Sequence, residues 1–160
     1  MKTEPLVLRT GYFAKAKEYA DAGFALVSIA LKQPWFLPKD LRIFQLMHLA
    51  PSEELLALKD RPDLYAPKYM AEVLEENSAE AMLGRFQHIA EEAKTNKVVL
   101  LCWEAPGKFC HRHLVASWLK SRAGVDVREF SKEDSAYTVR QETSLKKKGT
   151  KSNGNQCIWF

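Results

Sequence analysis

Short apolar blocks alternate with longer amphipathic ones along this chain. Leu6-Val-Leu8 is the first short block, and Phe24-Ala-Leu-Val-Ser-Ile-Ala-Leu31 is an almost unbroken apolar run with enough β-branched residues for a buried strand. Val98-Val-Leu-Leu101 is the most strand-like segment of all. Gly11-Tyr-Phe13 reads as the exit loop of the first strand, and Ala14 to Gly23 as a short helix with a glycine stop. Pro51 to Lys94 reads as helical with breaks at Pro62 and Pro67. Ser52 starts one of its helices without a capping-box acid, because Leu55 occupies that position. From Ser78 to Lys94, Met82, Leu83, Phe86, Ile89 and Ala90 form one stripe, a core helix with His88 facing solvent. A further amphipathic helix carries Leu114, Val115, Trp118 and Leu119 and stops at Gly124. Val125-Asp-Val-Arg-Glu-Phe130 alternates as an edge or final strand.

Strands separated by helices predict an open α/β sheet, mostly parallel, with crossover helices between the first, second and Val98 strands. Ligands of such sheets bind in the crevice at the carboxyl ends of the strands. That edge is expected to bring Thr10, Tyr12, Ser28, Lys32 and Trp35 near the segment Cys102–Arg112. Trp35 and Phe36 are read as a plug over the core in preference to a stacking wall for a nucleobase, since large aromatics beside proline commonly pack loops. Tyr65, Tyr69 and Glu72 lie on successive helical turns and suit either the far wall of the pocket or a structural face.

Cys102-Trp-Glu-Ala-Pro-Gly-Lys-Phe-Cys-His-Arg112 reads as strand end, Pro-Gly turn and helix start, and it concentrates the chemistry. Cys110 at a helix N-terminus, where unpaired N–H groups favour an anion, is expected to be a thiolate nucleophile. Arg112 is a cation at the unfavourable end of a helix, which calls for an anionic partner: a ligand, or an internal acid such as Glu104. Glu104 suits a general acid or base, a carboxylate nucleophile, or the partner of Arg112, and His111 suits proton transfer. Plainer readings make Cys102 a small core residue, His113 a surface residue and Glu104–Arg112 an ion pair that pins the loop. A phosphatase-type cradle needs five residues between cysteine and arginine, whereas Arg112 follows two residues after Cys110. No Cys-x-x-Cys pair exists, and adjacent Cys110 and His111 are expected to diverge from a helix start, so no metal and no cofactor is expected.

The string from Leu100 to Leu119 resembles the signature of the family named domain of unknown function 488, in which Cys-x-Glu at a strand end precedes Cys-His-Arg opening a helix. Thr10-Gly-Tyr-Phe13, Ser28-Ile-Ala30, Leu49-Ala-Pro51 and the spaced Tyr65, Tyr69 and Glu72 agree with it, over roughly residues 5–130. The resemblance implies a three-layer α/β fold of Rossmann-like type with flanking helices, and an enzymatic pocket. It supplies no reaction. Its signature positions here are Cys102, Glu104, Cys110, His111 and Arg112.

A chain of 160 residues suits one compact domain, expected over 1–139, with a basic tail over 140–160. The tail's five basic residues and one acid carry the whole net charge of +4, so the body is balanced and no basic face for duplex nucleic acid is indicated. The apolar end Cys157-Ile-Trp-Phe160 is expected to dock onto the body or a partner subunit. Three unevenly spaced cysteines make no disulfide framework, and the start lacks the apolar core of a secretory signal. A cytoplasmic, reducing setting with Cys110 free is therefore expected.

The expected function is an enzyme acting on a nucleotide-like or nucleic-acid-derived anionic substrate, with glycosidic-bond chemistry compatible. Cys110, Glu104 and His111 would be catalytic. Arg112, Cys102, Thr10, Tyr12, Ser28, Lys32, Trp35 and Tyr69 would bind substrate. A non-catalytic module touching nucleic acid through the tail, and a thiol redox sensor, are the alternatives.

Overall fold

The structure, a computed structural model, describes residues 4–105, 107–135 and, as backbone, 157–159. Among these residues six strands run parallel: β1 (Val7–Tyr12), β2 (Ala25–Ser28), β3 (Ile43–Gln45), β4 (Lys97–Cys102), β5 (Arg128–Glu129) and β6 (Cys157–Trp159). Their order across the sheet is β5-β1-β4-β2-β3-β6. Helices α1 (Ala16–Asp21), α2 (Glu53–Leu56), α3 (Pro62–Tyr69), α4 (Ala79–Glu92) and α5 (His111–Ala123) supply the crossovers.

β4 is buried along its whole length because both of its faces are covered. Val98 and Leu100 point into one cluster, with Phe86 and Ile89 of α4 and Val115 and Trp118 of α5. Val99 and Leu101 point the opposite way, onto Phe13, Ala16 and Tyr19. β2 divides likewise, Ala25 and Val27 against Leu26, which is why its run lacks polar alternation. The result is helix, sheet, helix: the three-layer α/β architecture of Rossmann-like type.

Several local expectations change. β1 continues to Tyr12, so Gly11 and Tyr12 are strand residues, and a short 3-10 turn at Phe13–Lys15 leads into α1. β3 was not expected; Ile43-Phe-Gln45 is too short to show a period. Pro62 opens α3, but Pro67 lies inside it, and a π-helical turn, Met70–Leu74, follows. Ser52 caps α2 without an acidic partner, its Oγ accepting from the Leu55 N–H at 3.1 Å. Gly124 closes α5 in the left-handed region, φ 67°, as expected of a helix stop. Cys157–Trp159 extends beside β3, and the five basic residues expected in the tail lie outside the described residues. No helix among the described residues is long and apolar enough to cross a membrane.

Candidate functional site

β1 delivers the chain to α1 on one face of the sheet, and β4 delivers it to α5 on the other. β1 and β4 are neighbours, so their carboxyl ends part to leave the crevice where open α/β sheets bind ligands. The ends of β1 and β4 and the start of α5 stand at this point.

Cys102 ends β4 and Cys110 caps α5, and the two are joined by a disulfide. This corrects the expectation of a free Cys110 thiolate. The loop carries the chain back so that both sulfurs meet beneath it, with the residues only 3 and 4% exposed. His111, the first residue of α5, turns toward them: its Nδ1 lies 3.3 Å from Cys102 Sγ and 4.0 Å from Cys110 Sγ. The expected divergence of Cys110 and His111 therefore fails. An extended Cys110 (φ −151°, ψ 145°) precedes a helical His111, which swings the two side chains to the same side. His111 Nε2 is 2.7 Å from the Ile29 carbonyl, which can only accept, so Nε2 carries the proton and Nδ1 presents its lone pair to the sulfurs. Burial pushes the His111 pKa down to about 4, helped by nearby Arg112, and keeps the ring neutral.

Arg112 is fully buried. The acid it meets is Glu129, not Glu104: Nε and Nη2 reach the two oxygens of the Glu129 carboxylate at 3.2 and 3.1 Å. The third arm, Nη1, donates to the backbone carbonyl of Glu104 at 2.5 Å. With its fork filled, Arg112 organises the crevice from within, which corrects its expected role as a substrate anion holder. Thr10 Oγ1 donates to Glu129 as well, so this expected binding residue is a buried support for the carboxylate. Glu104 is half-buried, and among the described residues no side chain pairs with its carboxylate. The Tyr12 backbone N–H donates to the Tyr19 hydroxyl oxygen at 3.3 Å. The Tyr19 ring fills the space over Gly11, where a Cβ would lie 2.5 Å from it. Burial raises the Tyr19 pKa to about 12, so the phenol stays protonated.

Trp35, expected as a plug, is 92% exposed. It meets Phe36 edge to face at 6.1 Å, Phe36 meets Trp103 at 6.3 Å, and Trp103 meets Phe13 at 5.8 Å. Phe36 and Trp103 are about half exposed, so the three rings form a solvent-facing ledge anchored on buried Phe13. Trp103 Nε1 donates to the Lys32 carbonyl at 2.9 Å and ties this ledge to the loop after β2. The Lys32 ammonium itself is exposed, 3.7 Å from Glu53.

Two other expected residues are structural. Tyr69 is fully buried and donates its hydroxyl to the Leu49 carbonyl at 2.6 Å, with its ring stacked on Tyr65, so it does not line a wall. Glu72, in the π-helical turn that follows, pairs with Lys68. Ser28 is sealed beneath the loop and accepts from the Ala30 N–H at 3.3 Å. His113 is exposed, as expected. Glu129 and Tyr19 were missed. The signal for Glu129 was its place at the carboxyl end of an alternating strand, opposite Thr10 in the β1–β5 register.

Residues 19–123 match the model of a family described as the Active DUF488-N3 subclade. No curated protein matches the chain, and neither does any solved structure.

Proposed function

The chain belongs to the DUF488 family, its matched span running from α1 to the end of α5, and from that premise we propose that it is an enzyme acting on a nucleotide-like or nucleic-acid-derived anionic substrate. The β1–β4 crevice is its active site. The observation that carries the reading is the exposed ledge of Trp35, Phe36 and Trp103 ending one residue from Glu104, whose carboxylate no side chain among the described residues pairs with. Large aromatics left in water are costly unless something covers them, and a base stacked on such rings contributes about 1–3 kcal/mol. Glu104 is the acid–base group or carboxylate nucleophile, held in place by the Arg112 bond to its own carbonyl. Lys32 is the cation within reach of a phosphate, since its surface pair with Glu53 exchanges easily. Glycosidic-bond cleavage or transfer fits this set: a planar group stacks, and a carboxyl group protonates the leaving nitrogen or meets the sugar carbon.

We assign the chain to the cytoplasm, where the thiol pool would open the Cys102–Cys110 disulfide. That disulfide supports a second reading, a thiol redox role for the same loop.

The test is turnover of a panel of nucleosides, nucleotides and short single-stranded oligonucleotides, followed by chromatography for released base. Glu104→Gln is expected to abolish release while leaving circular dichroism unchanged, and Trp35→Ala to raise KM. If no panel member is turned over and none quenches tryptophan fluorescence, the reading is wrong.

A further inference from the structure

Two sulfurs and one ring nitrogen converge in the sealed base of the β4–α5 loop. Cys102 Sγ, Cys110 Sγ and a His111 nitrogen all lie within 4.8 Å of one another, and all three residues are buried. We propose that, once the disulfide is reduced, this cluster is a metal site that binds a zinc-class divalent cation through the two thiolates and His111 Nδ1. The proposal does not depend on the glycosidic reading, since it involves neither Glu104 nor the aromatic ledge.

Three observations support it. The first is spacing. Tetrahedral coordination with metal–sulfur bonds of about 2.3 Å and metal–nitrogen bonds of about 2.0 Å sets sulfur and nitrogen about 3.5 Å apart. The observed Nδ1–sulfur separations of 3.3 and 4.0 Å lie on either side of that value, while the two sulfurs, bonded to each other in the disulfide, move apart on reduction to share a cation. The second is the orientation of the ring. Metal-bound histidines commonly donate their other N–H to a carbonyl or carboxylate, which fixes the tautomer. His111 already does this through the Ile29 carbonyl, and so its free lone pair is aimed at the sulfurs without any cation present. The third is charge. Two thiolates beside a neutral imidazole carry −2 in a buried space, and a divalent cation brings the total to zero, so occupancy removes the main cost of ionising both thiols there. Thiolate and imidazole donors select zinc-class cations over magnesium or calcium. Among the described residues no fourth histidine, cysteine or carboxylate joins the cluster, which leaves the fourth position to water or an exogenous ligand.

The chemistry balances with a monothiol as reductant. Two monothiol molecules give up two electrons and two protons to the Cys102–Cys110 disulfide; its S–S bond breaks, two cysteine thiols form, and the monothiols leave as their own disulfide. Binding the cation then displaces the two cysteine protons to solvent. Cation and disulfide exclude each other, because the sulfur electrons that would bind the cation as thiolates are tied up in the S–S bond.

The experiment uses the full chain carrying Cys157→Ser, which removes the third thiol, reduced with a phosphine and titrated anaerobically with Co²⁺. The expected result is a thiolate-to-cobalt charge-transfer band with four-coordinate visible bands, saturating at one equivalent, bleached by Zn²⁺ and absent from the oxidised chain. Cys102→Ser, Cys110→Ser and His111→Gln are each expected to weaken cobalt binding at least about 10-fold. Should those variants fail to fold, Zn²⁺ protection of Cys102 and Cys110 from iodoacetamide, read by peptide mass spectrometry in the unsubstituted chain, decides the matter. A reduced chain with both thiols free, no charge-transfer band and no Zn²⁺ protection overturns the proposal, as does cobalt binding that is undiminished in Cys102→Ser.

Discussion

The guanidinium of Arg112 and the carboxylate of Glu129 meet fork to fork, at 3.2 and 3.1 Å, with the arginine sealed from water and the glutamate side chain 28% exposed. A buried charge that loses its partner is far costlier than a pair that was never built. Glu129→Gln is therefore expected to lower the unfolding free energy by about 2–3 kcal/mol, less than for a fully buried pair because water reaches the glutamate. Urea denaturation measures it. An unchanged midpoint would mean that the backbone carbonyl of Glu104 alone satisfies Arg112.

Tyr19 and Gly11 are matched by shape. A Cβ at position 11 would lie 2.5 Å from the tyrosine ring, which is itself held 4.6 Å from Phe130. Gly11→Ala is expected to cost about 1–3 kcal/mol through overpacking. In a Tyr19→Ala background most of that cost should vanish, and a double-mutant cycle of unfolding free energies reads the difference. Equal costs in both backgrounds would place the strain elsewhere.

The pH dependence of stability follows from His111. Its pKa falls from 6.5 to about 4 in the fold, burial being the first cause. Between those values the unfolded chain takes up a proton that the folded chain refuses, so stability is complete above about pH 6.5 and falls as the pH drops toward 4. The loss reaches the order of 3 kcal/mol at the acid end. His113, lowered by partial desolvation and by the Arg112 charge, acts in the same direction but weakly, because the residue is exposed to solvent. His111→Gln should flatten the slope of unfolding free energy against pH in this window, and an unaltered slope would assign it to other groups.

Opening the disulfide frees a short loop, its cysteines eight positions apart in sequence. In the chain-entropy account such a crosslink contributes about 2–3 kcal/mol. Phosphine reduction in the presence of a chelator is expected to lower the urea midpoint accordingly. The Cys102→Ser, Cys110→Ser double variant should match the reduced chain and be insensitive to phosphine.

The ledge separates binding from folding. Trp35 is almost wholly in water, so Trp35→Ala should shift stability by no more than about 0.5 kcal/mol. Trp103→Ala should cost more, since it loses the bond to the Lys32 carbonyl and the edge contact with Phe13. Thermal unfolding of the two variants side by side distinguishes them.

Much of the fold was legible because burial on both faces leaves an apolar signature. Phe24–Leu31 and Val98–Leu101 announced buried parallel strands, and the heptad-like stripe from Met82 to Ala90 announced its helix. β3 was not legible, since three residues carry no period and Ile43–Gln45 is a strand only through its register with Leu26–Ser28. At the crevice, local spacing identified the loop but not its pairings. An arginine at the second position of a helix signals that an acid is needed, yet which acid depends on β5 lying beside β1, a contact set by the whole topology. The exposure of Trp35 is illegible for a similar reason: a proline-flanked aromatic reads the same whether the loop folds inward or stands out.

The position of β4 also governs how this protein emerges from the ribosome. β1 and β2 are separated in the sheet by a strand that begins at Lys97. While the first 96 residues are being made, β1 has no partner on either side, because β4 and β5 are both still to come. β2 can pair only with β3. The nascent chain thus exposes an apolar gap one strand wide, an invitation to a stray strand or to a chaperone, until translation delivers Lys97–Cys102 and the gap zips shut from both sides at once.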